Sequence, residues 1–165
     1  MENKIITHPL KPIFDENSAI LILGTMPSPK SRENNFYYGH PQNRFWRVLS
    51  AIFGEKLPEN NQERTALLLK HRIALWDVLK SCEIKGAEDS SIKNPIPNDL
   101  SIILESCNIK AIFTTGKKAF SLYQKLCEPK TKISAISLPS TSPANCRFML
   151  ERLIEEYSVI KDFLS

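Results

Sequence analysis

Ala19–Leu23 (AILIL) is an unbroken apolar run that stops at Gly24. A segment so short and so uniformly apolar suits a strand buried on both faces, as in the middle of a parallel sheet, better than a one-sided helix. Lys110–Thr114 (KAIFT), before Gly116, and Ile133–Leu138 (ISAISL), before Pro139, read the same way. Ile73–Leu79 (IALWDVL) has the apolar content of a fourth strand, although its length and Trp76 leave a helical turn open. Between the runs lie helix candidates at Asn43–Phe53, Gln62–His71, Asp99–Cys107, Lys117–Leu126 and Ala144 to about Phe163, with Asn98 as a cap for the third. The alternation predicts an α/β fold of three layers (αβα), with a central, mostly parallel sheet of about four strands, in a single domain over residues 1–165. Ser81–Pro97, polar and Pro-rich, is expected to be a long surface loop.

A chain of 165 residues with 42% hydrophobic content can bury one such core. No apolar stretch approaches the length of a bilayer span, so the expectation is an intracellular, cytoplasmic protein, close to the nucleoid in a prokaryote, with no membrane partner. The four cysteines (Cys82, Cys107, Cys127, Cys146) form no C-x-x-C pair, which suggests buried, reduced thiols and no metal site. A formal net charge of +4 is compatible with a polyanionic partner without requiring one. Lys30, Arg32, Arg44, Arg47, Lys117, Lys118 and Arg147 gather near the loops that follow the strands.

In an open parallel sheet, ligands bind outside the carboxyl ends of the strands, so the loops after Leu23, Thr114 and Leu138 should line one site. The first, Gly24-Thr25-Met26-Pro27-Ser28-Pro29, is stiffened by two prolines and should leave its strand as an extended turn. Its remaining amides could serve a ligand carbonyl or a developing anion, or the loop could simply be a rigid turn. Phe36 to Trp46 (FYYGHPQNRFW) packs five aromatics, two amides and a cation into eleven residues, a mixture suited to stacking on a base. Phe45 and Trp46 also suit a helix anchored in the core, His40 a structural hydrogen bond beside Pro41, and Tyr37 and Tyr38 a pocket wall. Leu138 to Asn145 (LPSTSPAN) sets hydroxyls between prolines, as phosphate ligands or as helix caps through Ser142. Thr114-Thr115-Gly116-Lys117-Lys118 opens another helix with two lysines but lacks the glycines of a P-loop.

Taken in this order, the segments G-T-M-P-S-P-x-S-R, Y-Y-G-H-P-Q-N-R-F-W, A-L-W-D-V-L and L-P-S-T-S-P-A-N resemble the uracil-DNA glycosylase superfamily over nearly the whole chain. They are most similar to its hypoxanthine-DNA glycosylase branch. The resemblance implies a uracil-DNA glycosylase-like fold and a monofunctional enzyme of base-excision repair that acts on DNA without metal or cofactor, as a monomer. Met26 stands where most branches carry an Asn or Asp that positions the hydrolytic water, and Asn43 is the amide expected to take over, through its carbonyl oxygen. The same likeness implies base-binding roles for Thr25, Met26, Tyr38, His40 and Gln42. It implies DNA contacts from Ser28, Lys30, Arg32, Lys117, Ser140, Thr141, Ser142, Asn145 and Arg147, with Thr141 to Asn145 wedged into the duplex.

The alternatives are a mismatch-specific uracil or thymine glycosylase, which shares the H-P-x-N-R-F-W block, and a DNA-binding module that has lost catalysis. A serine hydrolase built on Ser28 or Ser140 is a poor third, since neither serine lies in G-x-S-x-G.

Overall fold

A computed structural model describes residues 4–164, so the single domain expected over 1–165 extends beyond the described residues at both ends. The first half of the chain runs β1 (Lys4–Thr7), β2 (Ile20–Gly24), α1 (Pro29–Asn34), α2 (Phe45–Ile52), α3 (Asn61–Lys70) and β3 (Ile73–Asp77). The second half runs β4 (Leu79–Lys85), β5 (Glu88–Pro97), α4 (Ser101–Leu104), β6 (Ala111–Thr115), α5 (Lys117–Leu126), α6 (Glu128–Thr131), β7 (Ala135–Leu138) and α7 (Leu150–Tyr157). A 3-10 turn over Ser158–Phe163 follows α7.

Four strands form a parallel sheet in the order β3-β2-β6-β7. Every residue of β2, β3 and β6 is buried, which is what their largely apolar runs require; Asp77, Thr114 and Thr115 are buried polar residues at the strand ends. Helix α3 packs on β3, α5 on β6 and β7, and α2 against α7, so the expected α/β architecture of a parallel sheet flanked by helices is present. The outer edge of β3 is covered by an antiparallel bridge between Ile13 and Leu75, which removes an open edge from the sheet.

The structure corrects several local expectations. Ser81–Pro97 is not a loop: β4 and β5 form an antiparallel hairpin turning at Gly86 (φ 60°), and β1 pairs with the other edge of β4 to complete a three-stranded sheet. Buried Cys82 and Ile84 give β4 the alternating face that a half-exposed strand needs. Pro95 and Pro97 are tolerated because β5 lies at an edge. Strand β7 is also an edge strand, with Leu138 alone fully buried, rather than a central one. Asn98 caps nothing; its Nδ2 donates to the carbonyls of Asp77 (2.9 Å) and Leu79 (3.1 Å), and α4 is a single short turn. The last helix starts at Leu150, not Ala144, because the preceding loop is held in turns. Pro29 opens α1 with Ser28 as its N-cap, where an extended turn was expected; proline suits the first helical turn because the N–H it lacks would have no helical acceptor. Of the cysteines, Cys82 and Cys127 are buried, Cys107 is half-buried and Cys146 is exposed.

The run Ile73–Leu79 bends between its two sheets. It stays in the parallel sheet through Asp77 and enters the antiparallel one at Leu79. Val78 and Leu79 still donate to the carbonyls of Gly24 (2.8 Å) and Thr25 (3.1 Å), so the junction is fixed against the loop that follows β2.

Candidate active site

A cavity of about 350 Å³ opens at the carboxyl ends of β2, β3 and β6, where a parallel sheet presents its loops. Three of the segments singled out in the sequence meet there: Thr25, Met26 and Ser28 after β2, then Tyr38, His40 and Asn43 before α2, then Ser140, Thr141 and Ser142 after β7. The tip of the β4–β5 hairpin, with Gly86, Ala87 and Asp89, forms the remaining wall. Gln42 and Lys30 are exposed and lie outside the cavity, as do Arg32, Lys117, Asn145 and Arg147. A base-binding role for Gln42 therefore has no geometric support. Its backbone N–H instead caps His40 Nδ1 at 3.0 Å.

Tyr38 is held in an unfavourable backbone conformation (φ 52°) between Tyr37 and Gly39. Such residues cost about 1–3 kcal/mol and persist only where neighbours over-determine them. Here the ring stacks on buried Phe45, with centroids 3.9 Å apart, and the hydroxyl meets Thr115 Oγ1 at 3.2 Å. Burial first, and the charge of Asp77 second, push the phenols of Tyr37 and Tyr38 well above the usual tyrosine value. Both stay protonated. Tyr37 is walled into the core and donates to Lys11 O at 2.7 Å, so Tyr38 is the tyrosine of the pair that offers its hydroxyl at the floor of the cavity.

Asn43 is locked at the mouth. Its Oδ1 accepts from the Phe45 N–H (2.9 Å) and from the Thr141 hydroxyl (2.9 Å). Those two donors fill the lone-pair directions of a carbonyl oxygen, so the atom expected to orient a water is already engaged. Among the described residues, Asn43 Nδ2 has no protein partner, and it is the end of the amide left to act on a ligand. Arg44 secures the same corner: its backbone N–H donates to Thr141 O (3.1 Å), and its guanidinium donates to the carbonyls of Ser142 (2.9 Å), Asn145 (3.0 Å) and Phe148. Asn145 is thereby structural, its Nδ2 closing the loop on Ser140 O at 2.9 Å. Thr25 and Met26 line the cavity, and the backbone N–H of neither has an acceptor among the described residues.

Two residues went unnoticed in the sequence. Asp77, 4% exposed, lines the cavity at the end of β3 and receives a hydrogen bond from His8 Nε2 on Oδ2 at 2.8 Å. An acid interrupting an apolar run at the carboxyl end of a strand was the available signal for Asp77. Nothing local marks His8, which lies just beyond β1.

A parallel sheet with an aromatic, amide- and hydroxyl-lined cavity at the carboxyl ends of its strands defines an open-sheet α/β protein with a cavity where such sheets bind their ligands. The chain belongs to the uracil DNA glycosylase superfamily, whose family model matches residues 12–159. It is 40% identical over 146 residues to a protein named hypoxanthine DNA glycosylase from Methanosarcina barkeri, covering 86% of this chain and 89% of that one. A hypoxanthine DNA glycosylase of Methanosarcina acetivorans is 39% identical over 154 residues, covering 90% and 94%. A solution NMR structure from Methanosarcina acetivorans, of a protein assigned to the uracil DNA glycosylases, superposes with a TM-score of 0.81 at 33% identity, covering 97% of this chain and 99% of that one.

Proposed function

We propose that this chain is a monofunctional DNA glycosylase, one domain acting as a monomer inside the cell, that hydrolyses the N-glycosidic bond of a flipped, deaminated base, hypoxanthine before others. The observation that carries the reading is the convergence of Tyr38, Asn43 and Thr141 on one cavity at the strand ends. The names of its relatives favour hypoxanthine.

Extrusion of a base costs a few kcal/mol, least for a mispaired one such as hypoxanthine opposite thymine. In the cavity the base lies against Tyr38, and the glycosidic bond breaks with its electron pair leaving on the purine. The amides of Thr25 and Met26 steady that charge, because donors fixed beforehand need no reorganisation as it appears. Water then bonds to the sugar C1′ and loses its proton, giving an abasic site and the free base. Asn43 Nδ2 donates to the oxygen of that water, and Thr141 Oγ1, whose own proton points at Asn43, is free to accept from it. An amide has no useful basicity near neutral pH, so this pair orients water rather than deprotonating it. Ser28, Ser140 and Ser142 sit at the rim, and Lys30, Arg32, Lys117 and Arg147 lie outside it to meet phosphates.

The test is to incubate purified protein, in excess chelator, with end-labelled duplexes carrying one hypoxanthine, uracil or mismatched thymine, and to compare products before and after alkali. Release of hypoxanthine, with strand breaks after alkali alone, supports the reading. Release of uracil or thymine alone favours a mismatch glycosylase, and binding without release from any duplex leaves a DNA-binding module.

A further inference from the structure

The β4–β5 hairpin gives Ile84, Gly86, Ala87 and Asp89 to the cavity, yet it lies outside the segments singled out in the sequence and takes no part in the hydrolysis described above. We propose that Ala87, at the hairpin turn, sets how many rings the cavity accepts, its single methyl group leaving the width that a two-ring base needs and a one-ring base does not. This inference rests on the glycosylase reading and names the residue that favours a purine over a pyrimidine.

The hairpin leaves the parallel sheet beside β3, at one edge, and β5 packs against α5, which follows β6. It therefore spans the carboxyl end of β2, the strand between those two, and its tip shares one cavity with Tyr38 and Asn43. The tip is braced: the Lys85 N–H donates to Ser91 Oγ at 2.8 Å, and the same hydroxyl donates to Glu88 O at 2.6 Å. Two residues, Gly86 and Ala87, make the turn between the paired Lys85 and Glu88. Gly86 has φ 60°, a left-handed conformation that favours glycine. Ala87 has no positive φ, so its backbone accepts almost any side chain. Turns favour Asn, Asp and Ser at such positions, and strands are poor in alanine. The backbone thus gives no reason for a bare methyl group, whereas the cavity that it lines does.

The other walls are held in place. Tyr38 is fixed by Phe45 and Thr115, Asn43 by the Phe45 N–H and Thr141, and a Cβ at Gly24 would stand 2.4 Å from a carboxylate oxygen of Asp77. Room for a second ring is gained or lost at the hairpin. At about 350 Å³ the cavity lies near the lower end of the ~300–1,000 Å³ range of ligand pockets, so a few carbon atoms added to one wall take a sizeable share of it.

The experiment measures single-turnover release, at saturating enzyme, from duplexes carrying one hypoxanthine or one uracil. Beside it runs the affinity for a duplex with a stable abasic analogue, which presents no base to the wall. Ala87→Val, Ala87→Leu and Ala87→Phe should slow hypoxanthine release in that order, Ala87→Leu by on the order of 10- to 200-fold, the range that small changes in an apolar pocket supply. Uracil release should fall less, and abasic affinity should stay at the wild-type level. Where wild-type uracil release is too slow to time, affinities for uncleavable 2′-fluoro nucleotides of the two bases, each set against the abasic duplex, read the same ratio. Glu88→Phe, next in the chain but exposed and outside the cavity, should release hypoxanthine as wild type does. Thermal unfolding accompanies every variant, and Ala87→Val decides the matter if the larger side chains prevent folding. Unchanged hypoxanthine release in the folded Ala87 variants, or an equal loss of uracil release, of abasic affinity or of activity in Glu88→Phe, overturns this inference alone. A wild type that releases no base overturns the glycosylase reading itself.

Discussion

The hydroxyl of Thr141 donates to Oδ1 of Asn43 at 2.9 Å, joining residues 98 positions apart in the chain. Removing that proton while keeping the shape leaves Oδ1 held by the Phe45 N–H alone and loosens the amide. Thr141→Val should slow the chemical step about 2- to 10-fold with little change in DNA binding, as befits one neutral hydrogen bond. Asn43→Ala should abolish turnover and also spare binding. Single-turnover rates set beside gel-shift affinities test both, and undiminished release by Asn43→Ala would exclude it as the residue that holds the water.

Arg44 bonds three loop carbonyls with one guanidinium fork. Arg44→Ala should loosen residues 142–149, seen as faster amide hydrogen exchange there, and weaken DNA binding. Arg44→Lys should rescue little, since an ammonium is a point charge without the planar fork. Full rescue by lysine would mean that charge, not geometry, is what the loop requires.

At Gly24 the space for a side chain is already filled by the Asp77 carboxylate and the Tyr38 hydroxyl. Gly24→Ala should cost about 1–3 kcal/mol of stability, the usual cost of overpacking, and abolish base release together with it. A Gly24→Ala protein with unchanged melting temperature and activity would show that the floor is more yielding than this.

All four tyrosines are raised above their ordinary value, each chiefly by burial. A phenol kept neutral in the folded state stabilises it fully below about pH 10, and that contribution is lost as the pH climbs toward the raised value, because the unfolded chain ionises first. Absorbance at 295 nm should therefore show no tyrosinate near pH 10 and then a cooperative rise coincident with loss of circular dichroism. A gradual rise centred near pH 10, with the fold intact, would contradict the burial of these rings.

The parallel sheet was readable because each central strand carries its own evidence. Ala19–Leu23 is apolar throughout and ends at Gly24, Lys110–Thr114 holds the apolar Ala111–Phe113 shortly before Gly116, and α5 spans the expected Lys117–Leu126. The hairpin was not, because its apolar face rests on Cys82 and Ile84 in a polar stretch, and one of its partners, β1, lies far away in sequence. At the site, the rule that loops after parallel strands share a face pointed to the loops after Leu23 and Leu138, Tyr38 was legible as a pocket wall beside Gly39, and Asn43 followed from the family resemblance. His8 could not, because its partner stands 69 residues away and no spacing links the two.

The β4–β5 hairpin that walls the cavity has its feet together. Leu79 pairs with Pro97, Asn98 N–H reaches Val78 O at 2.8 Å, and the Asn98 amide ties the carbonyls on either side of that point. The segment between them thus leaves and rejoins the parallel sheet at one stitched seam beside Asp77, with β1 bracing the outer edge of β4. Its tip, beyond the stretch paired with β1, can change without disturbing the parallel sheet, so a lineage can retailor which bases fit by editing that hem while Asn43 and Thr141 keep their cut.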